Sequence, residues 1–227
     1  MSGGNMKIIS KVFQLKYRWQ WNRKLRQRRI EVNRKGVDHI TEISRELQKA
    51  GAEFFLDFGT LLGITREGKI ISWDDDIDMG IYITDKFSWD DLEKAMNSLG
   101  YKKNHQFILE GRVTEHNYSK GDIYVDLFLH EEKDGHSFSY VYDRRDGKEY
   151  PSPKYWSVMV HKTPSITGTV PVEKDGAYYN IPVNAEEYLA AVYGENWKTP
   201  ISGWTHYESP AVTVPEGLYS VMETFEE

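Results

Sequence analysis

The sequence predicts a mixed α+β domain, with a small mixed sheet flanked by helices, a basic helix at the N-terminus and an irregular C-terminal region. Three observations lead there. Short apolar runs of strand length alternate with segments of helical spacing through residues 53–129. A long basic segment with apolar residues at helical spacing precedes them. Pro, Gly, Tyr and Lys crowd residues 143–182, which read as loops with short strands forming a wall that faces substrate.

Taken in order, residues 7–50 read as helix with a break near Gly36, and Ala50-Gly51 stands where a helix-stopping glycine is usual. Glu53–Phe58 is a short buried strand, and Gly59-Thr60 opens a short helix through Arg66. Alternation from Ile77 to Ile83 predicts a strand. Leu92, Ala95, Met96 and Leu99 share one face of a helix over Trp89–Leu99, which Gly100 stops. Phe107–Val113 and Ile123–Leu129 read as strands, and Asn184–Tyr193 as a helix with Asn184 as its cap. No repeat, low-complexity stretch or interdomain linker interrupts this order. The organisation expected is a basic amphipathic helix over 1–35 and one catalytic domain over 36–227.

Composition removes several classes of function. The chain of 227 residues contains no Cys, which excludes disulfides, thiolate zinc sites and a Cys nucleophile. No apolar run reaches the roughly 18 to 20 residues that span a bilayer, and the opening residues lack the apolar core of a signal peptide. The net charge of -6 is unevenly spread: residues 1–35 hold 11 Lys/Arg against the single acid Glu31, and the remaining 192 hold 18 against 34 acids. In the basic head Ile8, Val12, Leu15 and Trp19, joined by Ile9 and Phe13, form a helical stripe ringed by Lys and Arg. Such a helix over residues 7–29, with Trp19 and Trp21, suits an anionic membrane surface; packing on the body or on a partner chain is the plainer alternative. Nucleic acid is not expected as a partner, because the acidic body opposes phosphate and no nucleic-acid motif is present.

The informative segment is Trp73-Asp-Asp-Asp-Ile-Asp-Met-Gly80. Four carboxylates in five positions repel one another, so a fold that keeps them needs a compensating charge. Residues two apart on an extended chain face the same side, which sets Asp74, Asp76 and Asp78 together. Oxygen-rich sites of this kind suit a hard divalent ion, Mg²⁺ or Mn²⁺, that leaves positions for phosphate oxygens. An EF-hand is excluded: its glycine position is Met79, its closing Glu is Asp85, and the flanks are strand-like. Gly59-Thr60, directly after a buried strand, offers a close backbone approach and a hydroxyl at a helix N-terminus, both suited to phosphate. Arg66, about two turns on, adds a guanidinium. Asp126 lies on the opposite pleat from Ile123, Val125 and Leu127, and a lone acid in a buried strand needs a partner. A metal shared with Asp76 and Asp78 is one.

Gly-Thr, a spacer, Asp-hydrophobic-Asp and a later strand Asp together resemble the nucleotidyltransferase superfamily. Phe58-Gly-Thr-Leu-Leu-Gly-Ile-Thr-Arg-Glu-Gly-Lys-Ile-Ile-Ser-Trp-Asp-Asp-Asp-Ile-Asp78 resembles the signature of the LicD (fukutin-related) family more closely. A second patch, Tyr193-Gly-Glu-Asn-Trp-Lys-Thr-Pro200, is similar to that family's Tyr-Gly-x-x-Trp-x-x-Pro element. The likeness covers residues 37 to 202 or so. It implies a nucleotidyltransferase-like fold and transfer of a phospho-substituent, phosphocholine or a polyol phosphate. The donor would be CDP-activated and the acceptor a sugar hydroxyl of a cell-surface glycan such as lipopolysaccharide or teichoic acid, with CMP leaving. By the same resemblance Asp76 and Asp78 match the metal pair, Asp126 the third carboxylate, Gly59-Thr60 the phosphate turn and Arg66 the family Arg. Glu67 stands where His or Asn is common and Ser72 where Pro is usual, and the chain is short for the family.

Further expectations rest on composition. The surplus of aromatics directs attention to Tyr155, Trp156, Tyr178, Tyr179, Trp197 and Trp204 as a cage for a quaternary ammonium, with ordinary packing as the alternative. The seven His show no metal spacing and are read as surface or structural. Two other functions stay open at this point. One is a nucleotidyltransferase that attaches an NMP and releases pyrophosphate. The other is a non-catalytic membrane-associated scaffold that binds nucleotide. A cytosolic donor places the protein in the cytoplasm or at the inner membrane face.

Overall fold

The computed structural model describes the backbone from residue 3 to residue 225 and the side chains from residue 19 onward. The stripe of Ile8, Ile9, Val12, Phe13 and Leu15 therefore lies outside the described side chains. The chain opens with α1 (Gly3–Lys49), followed by β1 (Glu53–Leu56), α2 (Phe58–Glu67), β2 (Ile77–Tyr82) and α3 (Trp89–Ser98). A meander then runs through β3 (Lys102–Leu109), β4 (Arg112–Lys120), β5 (Ile123–Leu129), β6 (Glu131–Lys133), β7 (His136–Asp143) and β8 (Tyr155–Pro164). The hairpin β9 (Thr169–Lys174) and β10 (Ala177–Pro182), α4 (Ala185–Tyr193), β11 (Val212–Thr213) and β12 (Tyr219–Thr224) complete it.

The main sheet is mixed and has ten strands, in the order β1-β2-β5-β4-β3-β12-β8-β7-β6 with β11 beside β8. Its parallel pair is β2 with β5; the other ladders are antiparallel. The sheet curls until β7 lies back over β3 and β4: Tyr142 stacks on Phe107 at 4.0 Å between ring centroids, and its hydroxyl bonds that of Thr114. The sheet is larger than a short-strand reading allows, because the region expected to be irregular supplies strands. β8 conceals itself: Ser157, His161 and Thr163 are as buried on it as Val158 and Met159, so no apolar alternation marks it. Likewise β3 and β4 are a hairpin turning at Glu110-Gly111, both at positive φ, where the sequence showed one strand over 107–113.

α1 is continuous through Gly36. A Cβ there would stand 2.3 Å from Ile70 Cδ1, so this glycine serves close packing, not a helix break. Val32, Ile40, Ile43 and Leu47 on α1 are fully buried in one core with Phe54, Leu61 and Leu127. The residue-35 boundary falls inside this single helix. α3 starts with a reciprocal cap, Ser88 with Asp91, and is followed by Gly100 at φ 81°. Asn184 stands at the N-cap of α4 as expected, but its side chain makes no capping bond; its amide donates to the Ser165 carbonyl and to Glu187, which ties the β8–β9 connection to the helix. Among the described residues no helix is long and apolar enough to cross a membrane.

Gly80 faces the ring of fully buried Phe55, and a Cβ at that position would lie 2.3 Å from Phe55 Cζ. The ring is wedged against Tyr82, His130 and Tyr188 and has nowhere to go. Gly80→Ala is expected to destabilise the fold by about 1–3 kcal/mol, seen as a melting temperature several degrees lower in a calorimetric scan.

Candidate active site

The parallel register of β2 on β5 sets Asp78 directly opposite Asp126. Asp76 arrives from the turn before β2. One oxygen from each of Asp76, Asp78 and Asp126 lies within 4.8 Å of the others, a spacing that suits a shared cation. These half-buried carboxyls shape one another. Burial, then the charges of Asp126 and of neighbouring Asp75, raise Asp76 well above the carboxylate range. Burial and the charge of Asp76 do the same to Asp78. Burial lifts Asp126 to about 6, against the pull of the Asn117 hydrogen bond and of Arg28. Asp74 stands beside the triad; burial and then Asp75 raise it to about 7, and its Oδ2 is buried without a hydrogen-bond partner among the described residues. Like charges at this density, with an orphaned acceptor beside them, are a donor set that suits a hard divalent cation.

The surrounding elements hold this set in place. The Gly59 N–H donates to Asp78 Oδ2 at 3.1 Å, and the Asp78 N–H donates to Thr60 Oγ1 at 2.9 Å. Thr60 is fully buried, so its hydroxyl ties α2 to β2 instead of facing a phosphate. Gly59 gives the carboxylates room: a Cβ would lie 2.9 Å from Asp74 Oδ2 and 3.3 Å from Asp78 Oδ2. Asn117 Nδ2 donates to Asp126 Oδ1 at 2.5 Å; Asn117 Oδ1 accepts from Asn104, whose own carbonyl accepts from Ser119. Behind Gly59, Asp57 is fully buried and accepts from the Phe58 N–H, the Tyr188 hydroxyl and His130 Nε2. Between Asp57 and Gly59, Phe58 sits at φ 35°, a left-handed conformation costly for a bulky residue and characteristic of functional turns.

Over the carboxylates opens a cavity of about 530 Å³. Gly59, Arg66, Asp74, Asp76 and Asp78 line its floor. Arg66 reaches it with a guanidinium already paired to Glu67 and donating to the Trp197 carbonyl at 3.4 Å. The walls hold residues that sequence reasoning missed. Arg29 comes from the basic helix, and its neighbour Arg28 pairs with Asp75 at 3.6 Å while lying 3.3 Å over the Tyr124 ring. Trp73, Tyr193 and His206 join Trp197 and Trp204. The other four aromatics of the expected cage pack elsewhere: Trp156 on Phe107, Tyr155 on Tyr219, and Tyr178 and Tyr179 buried on β10. Trp73 and Tyr193 stood inside the quoted motifs; for Arg29 and His206 no local signal existed, since only tertiary packing brings them here.

Residues 51–172 match the family profile described as LicD/FKTN/FKRP, nucleotidyltransferase domain. The chain belongs to the LicD family. The chain is 28% identical over 197 residues to the ribitol-5-phosphate transferase FKTN of Homo sapiens, covering 84% of this chain and 39% of that protein. It is 45% identical over 49 residues to the ribitol 5-phosphate transferase FKRP of Homo sapiens, covering 22% of this chain and 10% of that one. The chain thus spans well under half the length of these relatives. A solved structure of ANT(2″)-Ia in complex with adenylyl-2″-tobramycin aligns at TM-score 0.42 and 16% identity, over 78% of this chain and 86% of that one.

The raised carboxyls give the LicD domain a pH dependence of defined sign. Folded, Asp126 and Asp74 keep protons to about pH 6 and about 7, whereas the ordinary value is 3.8. The folded chain therefore binds more protons than the unfolded one across this window, and stability falls as pH rises through it. In chelator, the melting temperature is expected to be higher at pH 5 than at pH 7.5. Mg²⁺ or Mn²⁺ closes the gap at pH 7.5, and Asp126→Asn narrows it in chelator; a thermal-shift titration reads all three.

Proposed function

We propose that this chain is a metal-dependent transferase that moves a polyol phosphate from a CDP-activated donor to a sugar hydroxyl of a glycan, releasing CMP. The observation that carries the reading is the convergence of Asp76, Asp78 and Asp126 beneath a cavity with cationic and aromatic walls. Family membership supports group transfer at that site, and the relatives named as ribitol-phosphate transferases favour a polyol over phosphocholine. Only two of the six aromatics expected to cage choline reach the cavity, which weakens the phosphocholine alternative.

Asp76, Asp78 and Asp126 are the residues to hold Mg²⁺ or Mn²⁺, which when bound neutralises charge building on the departing CMP. Arg29 and Arg66 line the cavity and supply positive charge for the remaining phosphate oxygens. Trp73, Tyr193, Trp197 and Trp204 offer stacking surfaces for the cytosine and exclude water around it. The acceptor hydroxyl oxygen forms the new bond to the β-phosphorus as the bond to the CMP oxygen breaks. Its proton passes to the Asp126 oxygen that Asn117 does not hold, or to solvent. Positioning and charge stabilisation supply most of the rate. The basic helix extends the proposal: Trp19 and Trp21 are 63% and 45% exposed beside Arg23 and Lys24, a composition that favours the anionic inner face of a membrane in the cytoplasm.

Asp76→Asn and Asp78→Asn are each expected to lower turnover at least ~100-fold while the melting temperature in chelator holds or rises. A thermal-shift screen with Mg²⁺ or Mn²⁺ and CDP-ribitol, CDP-glycerol, CDP-choline, CDP-ethanolamine and NTPs identifies the donor. Stabilisation by NTPs alone, with pyrophosphate as product, would replace this reading with nucleotidyl transfer. Sedimentation with phosphatidylglycerol vesicles tests the helix: the double variant Trp19→Ala/Trp21→Ala is expected to lose most of its binding, and undiminished binding would remove the membrane from the proposal.

A further inference from the structure

Two histidines meet beside the cavity, one of them lining it. His161, on β8, is fully buried, and His206, in the short turn of 3₁₀ helix at residues 206–208, lines the cavity. His206 Nδ1 lies 3.0 Å from His161 Nε2. The other nitrogen of His161, Nδ1, is buried and has no hydrogen-bond partner among the described residues. Burial holds both rings neutral, His206 near 4 and His161 near 2. A neutral imidazole carries one N–H and one bare nitrogen.

Two arrangements of protons are open to the pair. If His206 Nδ1–H donated to His161 Nε2, the proton of His161 would sit on Nδ1, a buried donor with no acceptor. Orphaned buried N–H groups are rarer and costlier than under-used acceptors. The alternative places the His161 proton on Nε2, donating to His206 Nδ1, and leaves only a lone pair on the buried Nδ1. His206 then carries its own proton on Nε2. That nitrogen has no hydrogen-bond partner among the described residues. The His206 ring is fixed edge-on to Phe58 at 5.2 Å and to Trp204 at 5.2 Å. Phe58 directly precedes Gly59, whose N–H holds Asp78, so the ring packs on the residue next to the turn that holds the carboxylates.

We infer that His206 is a neutral hydrogen-bond donor, through Nε2–H, to an oxygen of the nucleoside diphosphate bound in the cavity, and that His161 is the positioning residue that fixes this tautomer. The contact to a nucleoside diphosphate rests on the transferase reading above; the tautomer does not. A neutral donor holds the diphosphate without adding a proton that the leaving CMP could take, and its geometry survives across the neutral pH range.

The test uses the full chain in two arms. In chains with ¹⁵N-labelled histidine, long-range ¹H–¹⁵N correlation reads each tautomer without ligand, and His206→Gln assigns the resonance. The expected spectrum has His206 protonated on Nε2 with a hydrogen-bonded, bare Nδ1; an Nδ1–H form or a fast mixture overturns the inference. Calorimetry with CDP and CDP-ribitol in Mg²⁺ forms the second arm. His206→Ala is expected to bind about ten-fold more weakly, and His206→Gln, which keeps an N–H near the same place, recovers most of that loss. His161→Phe, which fills the site without donating, weakens binding by a similar factor, and His161→Gln recovers it. Equal affinity of all four variants with wild type overturns the contact. Silence of the wild type toward both ligands brings down the transferase reading and the contact with it, while the spectrum still decides the tautomer.

Discussion

The site depends on the register of one parallel strand pair. β2 and β5 could slide by a residue only by exchanging buried faces, since Ile77, Met79, Val125 and Leu127 lie in the core while Asp78 and Asp126 point away from it. The apolar pattern therefore fixes two carboxylates side by side, and the core that enforces this is large enough to override their repulsion. Everything around them answers that conflict. The Gly59 N–H and Asn117 amide each satisfy one oxygen, Arg28 and Arg29 bring opposite charge, and Gly59 keeps the space beside Asp74 and Asp78 free of a side chain.

A second buried carboxylate explains why the turn before α2 can hold its strained shape. Asp57 is satisfied on three sides, by a backbone N–H, a phenol and an imidazole, and its own N–H donates to the Asp78 carbonyl. This links β2, α2, α4 and the end of β5 at one point. Phe58 is held at positive φ between that anchor and its ring contacts with Phe128 and His161. A turn over-determined in this way stays put while the neighbouring carboxyls change charge, which is the rigidity that a positioning site needs.

What could be read from the sequence was what is local. The Asp-rich string, Gly59-Thr60 and the β5 alternation are encoded by neighbours in the chain, and β5 has the bounds its pattern predicts, Ile123–Leu129. Gly51 and Gly100, both at positive φ, end their helices as expected. What escaped was tertiary. Thr60 looked like a phosphate ligand because a hydroxyl at a helix N-terminus suits one; its bond to the Asp78 N–H is set by how α2 lands on β2. β8 buries Ser157, His161 and Thr163 beside its apolar residues, so periodicity could not find it. His161 and His206 are 45 residues apart, and a spacing rule cannot see a pair joined by sheet pairing and a distant turn.

The charge asymmetry of the sequence acquires a cause in the fold. A basic head on an acidic body allowed either a lipid-binding arm or a helix packed on the body, and Trp19 and Trp21 are exposed. The inner half does something else. Helical spacing that buries Val32 and Gly36 turns Arg28 and Arg29 toward the acidic turn, where Arg28 spans Asp75 and the Tyr124 ring. Arg28 pulls the pKa of Asp76 and Asp126 down against the effect of burial, and Arg29 joins Arg66 in doing so for Asp74. The inner half of the helix is thus a wall of the site. A chain cut at residue 35 would keep the carboxylates and Arg66 but lose Arg28 and Arg29, and the acidic turn would be left with less of the positive charge that balances it.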